Sequence, residues 1–249
     1  MRGAWGTAFG QVLADAGNTV TMWAKEQQIV EGIRDHHHNA VRLPSVEKVA
    51  GQHDRHWGSR RSRQERGHRS RGHRRAVARV ALVEFKGLIP DHAIVVSLMK
   101  GIERGTNKRM DEVVRESLDL PADRFAAISG PNLSKEIADR HPAATVVACT
   151  NLDNATKVAE ACTTSYFKPF VTTDVIGLEM CGSLKNVTAL AVGMARGAGY
   201  GENTAAMIET RGLAELTALG VAAWRRSQDL LRLGRCGRSH RHLWLFAVS

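Results

Sequence analysis

A lysine and an asparagine interrupt a long apolar segment, and both side chains are suited to chemistry at a carbonyl group. Lys185 and Asn186 lie within residues 175–195, where the only other charged residue is Glu179. An amine in apolar surroundings must be paired, placed at the edge of a cleft or desolvated, and desolvation lowers the pKa of a lysine. Lys185 is therefore a candidate proton donor or acceptor at a carbonyl oxygen. The alternative is a lysine whose stem covers apolar surface while its amine reaches water.

A second candidate, Lys100, directly follows the apolar run at residues 93–98. A continuous apolar run of this length is typical of a buried parallel strand. Ligands of open α/β sheets bind at the carboxyl ends of such strands, which makes Lys100 a candidate binding residue. A plain surface lysine is the alternative.

The segment Ser-Gly-Pro-Asn-Leu-Ser at residues 129–134 joins a predicted strand to a predicted helix. The free backbone N–H groups of a helix start, together with the side chain of Asn132, can hold an anion or a cofactor amide. Gly130, Asn132 and Ser134 are therefore candidate binding residues. A simple loop in which a serine caps the helix is the alternative.

Residues 3–8 read Gly-Ala-Trp-Gly-Thr-Ala and open a predicted helix. Gly3 and Gly6 match the second half of a G-x-G-x-x-G turn, in which glycines let the backbone approach a pyrophosphate at a helix N-terminus. Lys25 and Glu26 follow the next predicted strand, where a side chain would contact the ribose. Lys25 favours the 2′-phosphate of NADP, whereas Glu26 favours the 2′-hydroxyl of NAD, and two surface charges are the alternative.

Strands and helices alternate in the first part of the chain and helices follow alone. The predicted strands span residues 19–23, 93–98, 125–129 and 144–149, and the predicted helices span residues 7–16, 27–34, 108–118, 134–139, 154–162, 175–195 and 203–219. This order predicts an α/β fold, with a Rossmann-like parallel sheet domain followed by an all-helical substrate domain. We place the dinucleotide-binding domain at residues 1–178 and the start of the helical domain at 179–221.

Two basic segments differ from the rest of the chain. Residues 51–79 contain ten Arg, no Lys and two acidic residues, and residues 222–249 contain six Arg, no Lys and one acidic residue. Of the net charge of +10, these segments carry +8 and +5, so the remaining residues carry −3. The first segment is too polar to form a core. Three explanations stay open: a basic arm that binds phosphate, a solvated loop, or the translation of a wrong reading frame. The basic tail at 222–249 has the same character.

Several classes of protein are disfavoured by the sequence. We interpret residues 175–195 as a buried core helix rather than a membrane span, because charged residues interrupt the segment. No apolar region follows Arg2, so we expect no signal peptide. The four scattered cysteines suit a reducing cytoplasm. The three consecutive histidines at 36–38 cannot share one face of a helix or strand, so we predict no metal site.

Taken in order, the motifs of this chain resemble those of bacterial-type NAD(P)-dependent glycerol-3-phosphate dehydrogenases. The resemblance covers residues 1–50 and 82–221 and rests on GAWGTA, SLMKGIERGT, ISGPNLSKEIA, PAATVVA, TTDVIGLEMCGSLKNV and GENT. It implies an oxidoreductase that uses NAD or NADP, with NADPH favoured, to reduce dihydroxyacetone phosphate to sn-glycerol 3-phosphate. The product would enter glycerophospholipid and phospholipid biosynthesis in the cytoplasm, and a homodimer is left open.

The resemblance also implies a role for each candidate residue. Lys185 would be the catalytic proton donor and acceptor, and would contact the substrate. Lys100 would contact both substrate and cofactor. The remaining positions divide into substrate contacts, at Gly130 and Asn132, and cofactor contacts, at Gly3, Ala4, Trp5, Gly6, Lys25 and Ser134.

Departures from the family pattern predict impaired activity. Neither a GLGDL aspartate nor a Ser-Arg-Asn substrate-phosphate motif follows Val221. Without that arginine the substrate phosphate lacks a charge-assisted partner. Two other functions remain open: another Rossmann-fold hydroxyacid or ketopantoate-type reductase, and a nucleic-acid-binding protein that uses residues 51–79.

Overall fold

A computed structural model describes residues 4–21, 27–41, 43–44 and 76–225. The strands are β1 (Val95–Ser97), β2 (Phe125–Ser129), β3 (Ala143–Cys149) and β4 (Phe167–Thr172). The helices are α1 (Ala4–Asp15), α2 (Gln27–His36), α3 (Ala76–Val83), α4 (Met110–Leu118), α5 (Ser134–Ala138), α6 (Leu152–Ala161), α7 (Val175–Gly197) and α8 (Glu202–Arg225). A 3₁₀ turn, Ala122–Arg124, precedes β2.

The four strands form one sheet in the order β1-β2-β3-β4, and two long helices end the described chain. β1 and β2 are parallel, with Val95 opposite Phe125 and Ser97 opposite Ala127. All five residues of β2 are buried, which explains why its sequence lacks polar alternation. The predicted fold class, a Rossmann-like sheet followed by helices, is confirmed.

The apolar runs predicted the buried strands well and one partly exposed strand poorly. The predicted strand at 125–129 is β2, whereas the strand at 93–98 is shorter than expected and β3 begins one residue early. β4 was not predicted, since Lys168 and Pro169 interrupt its apolar pattern. In the predicted strand at 19–23, residues 19–21 form no strand, and residues 22–23 lie outside the described part of the chain.

The helices agree with the predictions within a few residues, apart from α3. This helix was missed because it begins inside the arginine-rich segment, where no apolar periodicity precedes it. Its Arg79 forms two hydrogen bonds with the buried carboxylate of Glu103, at 2.8 and 2.9 Å, and one of 3.0 Å with Glu116. These contacts fix α3 beside α4 and beside the segment that follows Lys100.

The described chain divides into two compact units. The first contains the described residues up to 44 together with residues 131–147 and 156–171. In it α1 packs on α5, and the amide nitrogen of Gln11 donates to the carbonyl of Ala138 at 3.1 Å. At the other end of α1, the Asp15 carboxylate accepts hydrogen bonds from Tyr166 at 2.8 Å and Arg140 at 2.9 Å.

The second unit contains residues 76–130, 148–155 and 172–225 of the described chain, and α7 is its longest apolar helix. The side chain of Asp174 caps α7 by accepting a hydrogen bond from the Gly177 N–H at 2.7 Å. The first half of α7 packs on β2, and the helix also packs on α8. Its buried residues follow the spacing of one helical face: Val175, Leu178, Glu179 and Gly182.

The interpretation of residues 175–195 as a buried core helix is wrong for the second half. Val187, Leu190 and Met194 are about two-thirds exposed, since only one side of this part of α7 meets α8. Among the described helices, α7 alone has the length and hydropathy to cross a bilayer, and 22% of that stretch is buried.

Candidate active site

Lys100 lies three residues after β1 and turns back onto the neighbouring strand. Its Nζ donates a hydrogen bond of 3.1 Å to the carbonyl of Gly130, which directly follows β2. The parallel pairing of β1 and β2 brings these two strand ends together, as the sequence predicted. The Lys100 residue as a whole is exposed, but its stem lies against α7, within 4 Å of the position that a Cβ at Gly182 would occupy.

Lys185 supplies a second cation close to Lys100. It lies on α7, is half-buried, and makes no hydrogen bond or ion pair within the described part of the chain. Desolvation of the amine, and secondly repulsion from Lys185, lower the pKa of Lys100 to about 8. Two amines held this close favour an anionic group between them or beside them, because each repels the other's charge.

The segment that carries Lys100 is fixed to α7 at both ends. At one end the Gly101 N–H donates a hydrogen bond of 3.0 Å to Ser183 Oγ, and this hydroxyl donates one of 2.7 Å to the carbonyl of Glu179. At the other end the N–H of Asp111 donates to Glu179 Oε2 at 3.2 Å. Helix α7 therefore carries Lys185 itself and holds both ends of the segment from Gly101 to Asp111, which directly follows Lys100.

A small hollow lies between the end of β2, the Lys100 segment and α7. Its lining consists of Met99, Lys100, Gly101, Ala127, Ile128, Ser129, Leu178, Glu179 and Gly182. The lining is mostly apolar, with the Lys100 amine and the Glu179 carboxyl as its ionisable groups. The hollow has room for about one water molecule, so it is a gap at the strand ends rather than an enclosed substrate pocket.

Glu179 is a buried acid that behaves as a neutral group. Burial, and secondly its hydrogen bond with the carboxyl of Asp111, raise the pKa of Glu179 well above the ordinary range. Its Oε1 is buried and has no hydrogen-bond partner within the described residues, while Arg109 Nε lies 4.0 Å from Oε2. A protonated Glu179 can share its proton with Asp111 and adds no negative charge beside Lys100.

Apart from Lys100, the described residues predicted to bind the cofactor lie in the first unit. Ala4, Trp5 and Gly6 form the first turn of α1, which begins three residues earlier than predicted. The indole ring of Trp5 packs on Phe9 and Phe167, with ring centroids 5.6 and 6.3 Å apart. The backbone of Trp5, rather than its side chain, is therefore the part available to a pyrophosphate.

Asn132 and Ser134 also lie in the first unit. Asn132 Nδ2 donates to Thr145 Oγ1 at 3.0 Å, while its Oδ1 is buried without a hydrogen-bond partner among the described residues. Ser134 is the first helical residue of α5, and the helix cap is Leu133. The alternative of a capping serine is therefore wrong, since the residue at the cap has no side-chain oxygen.

The structure thus brings together three of the predicted site residues, Lys100, Gly130 and Lys185. Gly3 and Lys25, like Glu26, lie outside the described residues. Ser183 and Glu179 are further site residues that the sequence did not predict. Their spacing of four places both on one face of a helix, but this spacing is common in helices and does not by itself indicate a site.

Family models match both parts of the chain. The NAD-dependent glycerol-3-phosphate dehydrogenase N-terminus matches residues 2–53 and 75–155, and the C-terminus of the same family matches residues 174–238. The chain belongs to this family. The predicted resemblance is confirmed, and the matched ranges leave out residues 1, 54–74, 156–173 and 239–249.

Relatives of this dehydrogenase family include proteins named glycerol-3-phosphate dehydrogenase [NAD(P)+]. The one from Bifidobacterium longum strain DJO10A is 84% identical over 231 residues, which are 89% of this chain and 66% of the relative. The one from Corynebacterium kroppenstedtii is 47% identical over 223 residues, with 88% and 66% coverage. The chain therefore spans 66% of the length of these relatives.

A solved structure of the same family has a similar fold. Glycerol-3-phosphate dehydrogenase from Coxiella burnetii superposes with a TM-score of 0.71 at 27% identity, over 88% of this chain and 66% of that one. The family name implies a nicotinamide dinucleotide. The described residues fit one, because the first turn of α1 offers backbone N–H groups and Asn132 offers an unused buried acceptor.

The lowered pKa makes Lys100 unusually reactive toward acylating reagents. At pH 8 roughly half of the Lys100 amines are neutral, against well under one in a hundred for an ordinary lysine. We expect N-acetylation at pH 8, followed by mass spectrometry, to modify Lys100 at least about tenfold faster than the exposed Lys157 of α6. Equal rates at these two lysines would contradict the assigned environment.

Proposed function

We propose that this chain reduces dihydroxyacetone phosphate to sn-glycerol 3-phosphate with NADPH or NADH, for glycerophospholipid synthesis in the cytoplasm. The observation that carries the proposal is the pair of close amines, Lys100 and Lys185, beside a small hollow at the strand ends. The names of the relatives support the substrate and the cofactor. Three described cysteines without a disulfide suit a reducing compartment.

In this proposal the dinucleotide supplies the hydride, and the chain's own residues bind the substrate and move the proton. The protonated amine of Lys185 donates a hydrogen bond to the C2 carbonyl oxygen, stabilises the negative charge that develops there and transfers its proton to the oxygen. Lys100 provides a second positive charge that holds the anionic substrate. Its hydrogen bond to the Gly130 carbonyl keeps the amine in place before the substrate arrives.

The proposal also assigns roles to the other predicted residues. The first turn of α1, with Ala4, Trp5 and Gly6, would hold the pyrophosphate, and Ser134 and Lys100 would also contact the dinucleotide. Asn132 keeps the substrate contact that the resemblance implies. Lys25 favours NADPH over NADH, and this preference stays a prediction. Comparing the KM values for NADPH and NADH would test it.

The direct test is a product assay with the 249-residue chain. We expect NADPH oxidation that depends on dihydroxyacetone phosphate, with sn-glycerol 3-phosphate identified by NMR after incubation for hours. No detectable sn-glycerol 3-phosphate from a folded chain would contradict the proposed function.

Controls in the same assay separate this activity from the alternatives. A panel with ketopantoate and short 2-keto acids should give no NADPH oxidation above background, since these substrates lack a phosphate. Product formed from such an acid, with none from dihydroxyacetone phosphate, would overturn the proposed function in favour of another reductase.

The rate should also depend on pH through Lys100. Because the pKa of Lys100 is lowered to about 8, its positive charge is lost as the pH rises from 7 to 9. We therefore expect the KM for dihydroxyacetone phosphate to rise over this interval.

A further inference from the structure

We infer that Ser183 is a positioning residue that holds Lys100 at its working distance from Lys185. The inference rests on the proposed function of the two lysines. Ser183 is not a catalytic residue in this view, since it acts through the backbone of the residue that follows Lys100.

The argument begins with the two hydrogen bonds of the Ser183 hydroxyl. Oγ accepts from the Gly101 N–H at 3.0 Å and donates to the Glu179 carbonyl at 2.7 Å. A serine hydroxyl has one donor and two acceptor sites, so both bonds form at once. The bond to the carbonyl one turn back fixes the direction of the hydroxyl, and its lone pair is thereby aimed at Gly101.

The position of Gly101 makes this contact effective. Gly101 has a φ of +117°, a left-handed conformation that other residues rarely adopt, and it directly follows Lys100. Glycine itself restricts the backbone dihedral angles only weakly. The hydrogen bond from its N–H therefore limits the conformations that the backbone can adopt beside Lys100. Ser183 is also two residues before Lys185 on a continuous helix, so one short stretch of α7 sets the position of both amines.

The other contacts of the segment do not replace this one. The Asp111 N–H meets Glu179 ten residues after Gly101, and an isolated bridge joins Ile102 to Arg109. These contacts order the far part of the segment. The Gly101 N–H is the backbone donor closest to Lys100 that is bonded to α7 within the described residues.

The test compares Ser183→Ala with Ser183→Thr, which keeps the hydroxyl. In Ser183→Ala the Lys100 amine should move toward water and regain its proton at pH 8, so acetylation of Lys100 at pH 8 should fall about three- to tenfold. The Thr variant should stay within about twofold of the parent chain. The ratio kcat/KM for dihydroxyacetone phosphate should fall with the acetylation rate, mainly through a higher KM.

Ser117→Ala is the matched control. Ser117 is a buried serine of α4 whose hydroxyl donates to the carbonyl of Val113 at 2.6 Å, the same one-turn bond that Ser183 makes. Its removal should leave Lys100 acetylation unchanged. Circular dichroism and thermal melting confirm that each variant folds.

Unchanged Lys100 acetylation in a folded Ser183→Ala protein would overturn the inference, as would an equal decrease in Ser117→Ala. The acetylation rate needs no substrate, so it separates this inference from the proposed function. The chain could show the expected acetylation rates and yet fail to reduce dihydroxyacetone phosphate. That result would support the positioning role of Ser183 and would contradict only the proposed activity.

Discussion

Replacing Lys185 with methionine is expected to lower kcat for dihydroxyacetone phosphate reduction by about 10²- to 10⁴-fold, to the limit of detection. Methionine keeps much of the apolar stem but removes the only group near the hollow that we assign to proton transfer. The amine makes no hydrogen bond or ion pair within the described residues, so its loss should leave the fold intact. The measurement is the formation of sn-glycerol 3-phosphate over hours, with Lys157→Met as the control for a general loss of lysine charge.

Lys185→Arg distinguishes proton transfer from simple attraction. Arginine keeps the positive charge but stays protonated at any working pH, so it cannot pass a proton to the alkoxide. We expect its kcat to be nearly as low as that of the methionine variant. A rate close to that of the parent chain would show that charge alone suffices and that the assigned proton transfer is wrong.

The methionine variant also has an effect that does not require turnover. Since repulsion from Lys185 is the second cause of the lowered pKa of Lys100, removing that charge should raise the pKa of Lys100. Acetylation of Lys100 at pH 8 should then become slower than in the parent chain. An unchanged acetylation rate would mean that the two amines are too far apart to act on one substrate.

The sequence predicted the fold where burial is uniform. β2 and β3 are continuous apolar runs because both of their faces are covered, and such runs stand out without any alignment. β4 was missed because Lys168 and Pro169 interrupt its apolar residues, of which only Phe167 is fully buried. Helix α3 was missed because it begins inside the arginine-rich segment. Its Arg79 pairs with Glu103, 24 positions later, and no local sequence pattern indicates such a pairing.

Prediction of the site was limited in the same way. Lys100 and Lys185 could be identified because a charged residue beside an apolar run is unusual in sequence. Ser183 could not, since its role depends on the Gly101 N–H 82 positions away, and a serine in a helix is common. The raised pKa of Glu179 likewise depends on its burial and, secondly, on the carboxyl of Asp111, a buried acid 68 positions earlier in the chain.

Gly182→Ala is expected to destabilise the second unit, against the usual preference of helices for alanine. A Cβ at Gly182 would lie 2.7 Å from Ser129 Oγ, closer than real contacts allow. Ser129 is buried, so its hydroxyl has little room to move away. Overpacking costs about 1–3 kcal/mol against a gain of about 1 kcal/mol in helix propensity, so we expect a net loss of up to about 2 kcal/mol.

The same substitution should also disturb Lys100, whose Cδ lies 3.9 Å from the added Cβ position. Displacement of Ser129 or of this stem changes the surface beside the hollow, where the proposed substrate binds. We therefore expect the rate of sn-glycerol 3-phosphate formation to fall together with stability. Urea unfolding gives the free energy, and the product assay gives the rate.

Two further variants identify close packing at Gly182 as the cause. Ser129→Ala combined with Gly182→Ala removes the clashing oxygen and leaves the residue 129 Cβ at 3.6 Å, an ordinary contact, so the pair should recover most of the lost stability. Gly193→Ala lies on the same helix with open space around it and should raise the free energy of unfolding by about 0.5–1 kcal/mol. Equal effects at the two glycines would mean that α7 does not approach the end of β2 closely, and then neither Lys100 nor the hollow would be held by this helix.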